Sequence, residues 1–130
     1  MAHWLAESDD AADWAEALAF DPVEFAILAD ALGDDGVREV VWIFETETRD
    51  RLQRLSEGGQ DRPTIMRELH TLKGAASTVA APRLTVLGRS LEHRTRQGGA
   101  PAPQDILAME AALNAYLADL QAFGLSGPVT

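Results

Sequence analysis

Proline and glycine divide this chain of 130 residues into segments in which apolar residues recur every three or four positions. That spacing gathers apolar side chains on one face of an α-helix, and almost nothing in the chain indicates another kind of element. An acidic residue followed by proline starts a helix, whereas glycine pairs stop one. The first predicted helix begins at Asp21-Pro22 and ends at Gly33, and the second runs from Asp34 to Gly58-Gly59. The third begins around Asp61-Arg62-Pro63 and the fourth at Pro82. The last extends from about Gln104 to Phe123.

Four of these helices are long enough to pack together, and short loops join them. The sequence therefore predicts an all-α fold, an up-down-up-down four-helix bundle with additional short N-terminal helices. We expect residues 1–20 to form an N-terminal helical extension, residues 21–125 to form the bundle domain, and residues 126–130 to be a flexible tail. Trp42 in the second helix is either a packing aromatic or part of a docking patch.

Composition excludes several classes of protein. The chain has no cysteine, so it can have neither a disulfide framework nor a thiolate metal site. Its net charge of -10 argues against nucleic acid as the main partner. Because the apolar runs are short and the N-terminus is acidic, no signal peptide or membrane span is expected. We predict a soluble, cytoplasmic monomer.

The charge is distributed unevenly along the chain. Residues 61–98 hold seven basic and three acidic residues, a local net charge of +4, so the remainder carries -14. An acidic body with a basic region suggests that this region meets an anionic partner or group. The same stretch contains His70.

The pentapeptide His70-Thr71-Leu72-Lys73-Gly74 lies in the middle of the third predicted helix. On a helical wheel, His70 falls away from the apolar stripe and should be exposed, with Gly74 and Ser77 on the same outer side. Glycine inside a helix costs about 1 kcal/mol relative to alanine. Close approach of a partner would explain that cost, and a close helix–helix contact is the alternative.

The stretch from His70 to Ala76, followed by Leu84, Leu87 and Leu91-Glu92, resembles the histidine phosphotransfer (HPt) domains of multistep two-component relays. It also resembles the N-terminal phosphotransfer domain of chemotaxis-type kinases. The resemblance covers roughly residues 21–124. It implies a four-helix bundle whose histidine accepts a phosphoryl group from a receiver-domain aspartate or a histidine kinase and relays it to a response regulator.

The resemblance also assigns roles by position. It implies that His70 is the phosphoacceptor, that Lys73 is the nearby cation, and that Glu92 hydrogen-bonds the histidine ring. Glu92 could instead pair only with arginines of its own helix. The chain departs from the family at Ala80, where glycine is usual, and at Leu69, where a small residue is usual. The residues predicted to form the binding surface are Gly74, Arg67, Ser77, Arg89 and Arg96.

The expected chemistry agrees with these roles. An exposed imidazole is mostly neutral at cytoplasmic pH, so one ring nitrogen has a free lone pair that can attack phosphorus. Phosphoryl transfer depends mainly on positioning and nearby positive charge, and Lys73 would supply a mobile ammonium group. We expect no cofactor and no metal site in this chain, because the Mg²⁺ of the reaction would come with the receiver partner.

Three classes of function follow from the sequence. The leading hypothesis is a phosphocarrier without an ATP site or autonomous turnover, hence not an enzyme. The second is a non-catalytic helical adaptor that docks an acidic partner through the basic face around His70. An independent enzyme is disfavoured, since the sequence has no Gly-rich phosphate loop, G-x-S-x-G elbow or metal-ligand set.

Overall fold

The computed structural model describes residues 16–124. Over that range the protein is all-helical, without strands, and the predicted four-helix bundle is confirmed. Most of the predicted N-terminal extension, and all of the predicted tail, lie outside the described residues. The helices are α1 (Pro22–Glu57), α2 (Arg62–Thr78), α3 (Pro82–Arg96) and α4 (Pro103–Phe123).

Each helix packs against its neighbours around the bundle. α1 contacts α2 and α4, and α3 contacts α2 and α4. The α2–α3 pair is antiparallel: Arg62, at the start of α2, donates to the carbonyl of Gly98 beyond the end of α3, while His70 faces Glu92. Because the connection between the two helices is short, residues near the middle of α2 lie opposite residues near the middle of α3.

The two helices predicted on either side of Gly33 form one element in the structure. Gly33 alone interrupts α1, with φ 78° and ψ 166°, and the chain resumes its helical course at once. Glycine adopts this left-handed backbone without the steric cost of a Cβ atom. The break is therefore where the sequence places it, but it is a kink of one residue and not a loop.

Polar side chains fix the beginnings of the first two helices. Asp21 Oδ1 accepts hydrogen bonds from the backbone N–H groups of Val23 and Glu24, and Asp61 Oδ1 accepts one from Thr64. These bonds satisfy donors that the first turn of a helix leaves without partners. Both caps occur at the acid-and-proline start signals of the sequence.

The C-terminal end of α2 is held by its neighbours. Ala80, at the position where the resemblance expects glycine, has a φ of +65° and is the one non-glycine residue among 16–124 with a positive φ. Its carbonyl accepts from the backbone N–H of Asp21 at 3.0 Å, and the buried Tyr116 hydroxyl donates to the carbonyl of Val79 at 2.9 Å. These bonds stabilise the end of α2 and offset the cost of a backbone conformation that is unfavourable for alanine.

The apolar faces of the four helices meet in one core, which also includes Phe20 from the segment before α1. The Phe20 ring contacts the rings of Phe25, Tyr116 and Phe123. Trp42 lies outside this core and is 49% exposed, so it is not a core aromatic. No helix within residues 16–124 has the length and apolar character needed to span a membrane.

Candidate functional site

His70 lies on the outer face of α2, and 71% of its side chain is exposed. The inner face of the same helix is formed by Leu69, Leu72 and Ala76, all of which are buried. This is the arrangement that the helical spacing predicts, because His70 follows Leu69 by one residue and is rotated about 100° from it. The imidazole is therefore accessible to a partner, while the helix that carries it is anchored in the core.

Glu92 of α3 is the residue around which the site is organised. It is only 6% exposed, yet its carboxylate reaches two side chains of α2. Oε2 lies 3.2 Å from His70 Nδ1, and Oε1 accepts a hydrogen bond from Lys73 Nζ at 2.7 Å. Arg96, one turn later on α3, brings its Nη2 to 3.5 Å from Oε2. Glu92 therefore contacts both the His70 ring on α2 and an arginine of its own helix.

The charge of Glu92 fixes the role of the facing imidazole nitrogen. Burial opposes ionisation and is the largest single influence, but the hydrogen bond and charge of Lys73, with those of His70, outweigh it. The pKa of the Glu92 carboxyl therefore lies below its usual value, and the group is ionised at neutral pH. Since an ionised carboxylate can only accept hydrogen bonds, His70 Nδ1 must be the donor. That tautomer leaves the lone pair on Nε2.

Lys73 differs from the expectation of a mobile ammonium group. Its side chain is 25% exposed and is held at the α2–α3 interface by its hydrogen bond to Glu92. The reason is that α3 packs directly beside it, since the backbone of Gly88 lies next to the Cα and Cβ atoms of Lys73. The cation is thus fixed one helical turn from His70.

Gly74 is exposed, and within the described part of the chain a Cβ atom built on it would meet no atom of another helix within 4 Å. A close helix–helix contact therefore does not account for glycine here. Ser77, one turn further along α2, lines a cleft of about 280 Å³ at the α2–α3 turn. Arg89 of α3 and Asp21 line the same cleft, so the predicted binding residues Ser77 and Arg89 lie together.

Arg67 and Arg89 do not join the Glu92 cluster. Arg67 Nη2 donates to Thr64 Oγ1, one turn earlier on α2, at 3.2 Å. Arg89 lies in the cleft beside Ser77. The structure therefore divides the predicted residues into a group around Glu92 (His70, Lys73 and Arg96) and a flanking group (Arg67, Gly74, Ser77 and Arg89).

Gly88 is a residue of this region that the sequence patterns did not single out. It is buried on α3, one turn before Glu92, and a Cβ atom there would lie 3.3 Å from Lys73 Cβ. The available signal was the same as for Gly74: glycine in a helix interior costs about 1 kcal/mol and calls for a reason. Between Leu87 and Leu91, that reason is close packing.

No group of three or more histidine and carboxylate side chains within residues 16–124 is arranged to hold a metal ion. A comparison with protein-family models gives a match to the Hpt domain over residues 39–123. The match covers well over half of the chain and includes His70, Lys73 and Glu92. No significant match was found among curated proteins or among solved structures.

Proposed function

Because the chain belongs to the Hpt domain family, we propose that it is a phosphocarrier in which His70 accepts a phosphoryl group from a receiver-domain aspartate or a kinase and relays it to a response regulator. The observation that carries this proposal is the contact between the exposed imidazole and the buried carboxylate of Glu92. The contact holds one ring nitrogen as a donor and leaves the other as a nucleophile. We place this activity in the cytoplasm, where receiver domains and kinases operate.

In the accepting step, the Nε2 lone pair attacks the phosphorus of an aspartyl phosphate in line with the leaving oxygen. A P–N bond forms while the P–O bond breaks, and its electron pair leaves on the aspartate. The proton stays on Nδ1, so the phosphorylated imidazole is a cation whose charge the Glu92 carboxylate balances. Donation to a response regulator runs the same step in reverse, with an aspartate of that partner as the nucleophile.

Lys73 and Arg96 supply positive charge around the contact between Glu92 and the ring that would carry the phosphoryl group. Both are anchored by Glu92, at 2.7 Å and 3.5 Å respectively, so they need little reorganisation when the phosphoryl group arrives. Charge that is already in position stabilises a phosphoryl-transfer transition state more effectively than charge that must be recruited. The Mg²⁺ that receiver domains bind would come with that partner.

The partner would approach over Gly74, Ser77 and Arg89. The open space around Gly74 supports this, because a side chain there would project toward the partner and not into the bundle. Receiver domains resemble one another in presenting an acidic pocket, which suits the basic stretch of residues 61–98. We propose that the chain works as a monomer that docks one receiver at a time.

The test is transfer from purified, radiolabelled, phosphorylated receiver domains to this chain. We expect label on the chain that is stable in base and lost in acid, as for a phosphohistidine, and complete loss of labelling in His70→Gln. Because His70 is exposed, that variant should keep its helical content and melting temperature. His93→Gln is the matched control and should be labelled normally.

Labelling that persists in His70→Gln would move the acceptor elsewhere and refute the assignment. A chain that binds receivers tightly but never becomes labelled by a panel of them, or by histidine kinases, would instead be the non-catalytic adaptor.

A further inference from the structure

Gly88 lies where α3 packs against the part of α2 that carries the site. A Cβ atom on Gly88 would lie 3.3 Å from Lys73 Cβ, 3.4 Å from Leu72 Cδ2 and 3.5 Å from Lys73 Cα. Two of these three neighbours belong to Lys73, and one of those is backbone. The contact with Lys73 Cβ is tight, whereas those with Leu72 Cδ2 and Lys73 Cα are ordinary van der Waals distances. Because a Cβ atom is bonded directly to the backbone and cannot turn aside as the end of a long side chain can, a methyl group on Gly88 would require the two helices to move apart by a few tenths of an ångström.

The spacing of α2 and α3 at Gly88 controls the reach of Glu92. Glu92 follows Gly88 by one helical turn, and His70 precedes Lys73 by one turn on the antiparallel helix, so the two pairs of residues are successive contacts along one interface. The Glu92 carboxylate must cross this interface to touch either side chain. Its reach is set by the distance between the helices, because its own backbone is fixed within α3.

We propose that Gly88 is a positioning residue, whose lack of a side chain lets α3 lie close enough to α2 for the Glu92 carboxylate to hold His70 and Lys73 together. The proposal rests on the phosphoacceptor role proposed above for His70. It explains why a buried position among leucines is occupied by the smallest residue, at a cost to the helix of about 1 kcal/mol.

The two contacts of Glu92 should respond differently to a wider spacing. The Lys73 bond is short, at 2.7 Å, and ends on a flexible chain that can follow the carboxylate. The His70 contact is 3.2 Å, at the long end of the range for an N–H···O hydrogen bond, and a ring has no such freedom. A shift of a few tenths of an ångström would therefore break the His70 contact and spare the Lys73 bond.

The test compares Gly88→Ala with Gly36→Ala in the full chain. Gly36 of α1 is a matched control, since a Cβ atom there would also meet a neighbour at 3.3 Å, Leu32 Cβ, far from the site. The first measurement is the tautomer of His70 by ¹⁵N NMR of the imidazole at neutral pH. The second is the rate of phosphorylation by phosphoramidate, whose P–N bond breaks with loss of ammonia as the bond to Nε2 forms.

We expect both variants to fold, because alanine favours a helix and the neighbouring atoms need move only slightly. In Gly88→Ala, the His70 population should shift from the Nδ1–H toward the Nε2–H tautomer, and phosphorylation should slow by roughly threefold to tenfold, as for a small misplacement of a reacting group. Gly36→Ala should match the wild type in both measurements. In a Glu92→Ala background, Gly88→Ala should change neither, because the residue through which it acts is gone.

Three results would overturn the proposal: an unchanged tautomer in Gly88→Ala, an equal effect of Gly88→Ala with and without Glu92, or loss of the fold, which would make Gly88 a simple packing residue. The tautomer is read without any phosphoryl donor, so it tests the positioning role separately from the proposed function. If the tautomer shifts as expected but no variant is ever phosphorylated, the positioning role stands and the phosphocarrier proposal fails.

Discussion

Two carboxylates of the bundle are held in similar ways, on opposite sides of α2. Glu68 of α2 is clasped by α1: Arg54 Nε lies 2.7 Å from its Oε2, and Arg51 Nε lies 3.3 Å from its Oε1. Glu92 of α3 holds Lys73 and His70 of α2. Both carboxylates are mostly buried, both join α2 to a neighbouring helix, and both have a lowered pKa.

The partners make the difference between them. The charged partners of Glu68 are guanidinium groups, which are permanently charged and have no lone pair to offer, and a hydrogen bond with the Gln60 side chain adds no nucleophile. These contacts therefore hold α1 and α2 together without presenting a reactive atom. At Glu92, one partner is an imidazole, which gives up one nitrogen to the carboxylate and keeps a nucleophilic nitrogen on its far side. A buried carboxylate that joins two helices thus becomes part of a candidate reactive site when one of its partners is an imidazole, which has a second ring nitrogen, and not an arginine.

The two carboxylates should differ most in how the transfer rate responds when one cation is removed from each of them. Lys73→Ala deletes the charge fixed beside His70, and we expect the transfer step to slow by about ten- to a hundredfold at saturating receiver, equivalent to 1–3 kcal/mol. Arg54→Ala, the control, deletes a cation from Glu68 and should leave that step unchanged. Rapid-quench kinetics with a phosphorylated receiver measures both. Equal slowing in the two variants would mean that the two sides of α2 do not differ in the way described.

Charge reversal on the basic face should have a smaller effect, and this effect should be on the rate of association with the receiver. Arg67→Glu combined with Arg89→Glu leaves the Glu92 cluster intact, because neither arginine belongs to it, but removes positive charge from the face that meets the receiver. We expect the association rate to fall by about tenfold at low salt and its dependence on salt to flatten.

Arg38→Glu combined with Arg49→Glu is the control for that measurement. It makes the same change in net charge on α1, where the two arginines form exposed ion pairs with Asp35 and Glu45. Stopped-flow binding across a salt series should show little change in this variant. If both double variants slow association equally, the overall charge of the protein steers the encounter and the basic face has no special part.

The smallest difference is expected in acid, where the two carboxylates should behave alike. The pKa of Glu68 is lowered chiefly by its hydrogen bond to Arg54, against the effect of burial, and that of Glu92 is lowered by Lys73 and His70, which outweigh burial. A carboxyl with a lowered folded-state pKa contributes stability above its unfolded value near 4.5, and this stability is lost as the pH falls through the folded value.

Melting temperatures measured from pH 6 down to pH 3 should therefore fall with acidification, and both Glu68→Gln and Glu92→Gln should flatten that fall. Only Glu92→Gln should also change the ¹⁵N signals of the His70 ring. A steeper acid dependence in either variant would contradict the assignment of the lowered pKa.

The spacing of residues along the chain was enough to predict what depends on helical rotation. His70 is exposed because it is one residue from Leu69. The contact of Glu92 with His70 was implied by the family resemblance, while spacing alone left open a pairing of Glu92 with arginines of its own helix. Contacts that depend on the separation of helices were not predictable in this way. The tethering of Lys73 and the fit of Gly88 against it follow from how closely α2 and α3 approach, which periodicity does not specify. The exposure of Trp42 is of the same kind, since an amphipathic pattern cannot tell the edge of a core from its centre.

Tyr116 is the single tyrosine of the sequence, and its buried hydroxyl donates to the carbonyl of Val79 at the end of the helix that carries His70. Burial raises the pKa of this hydroxyl, so it remains neutral over the whole pH range of ordinary experiments. Biosynthetic incorporation of fluorotyrosine would consequently give one ¹⁹F resonance per molecule, inside the core and away from the surface that a receiver would cover. The protein thus contains its own spectroscopic reporter, able to show whether α2 keeps its anchored end while the other face of the helix is phosphorylated or bound.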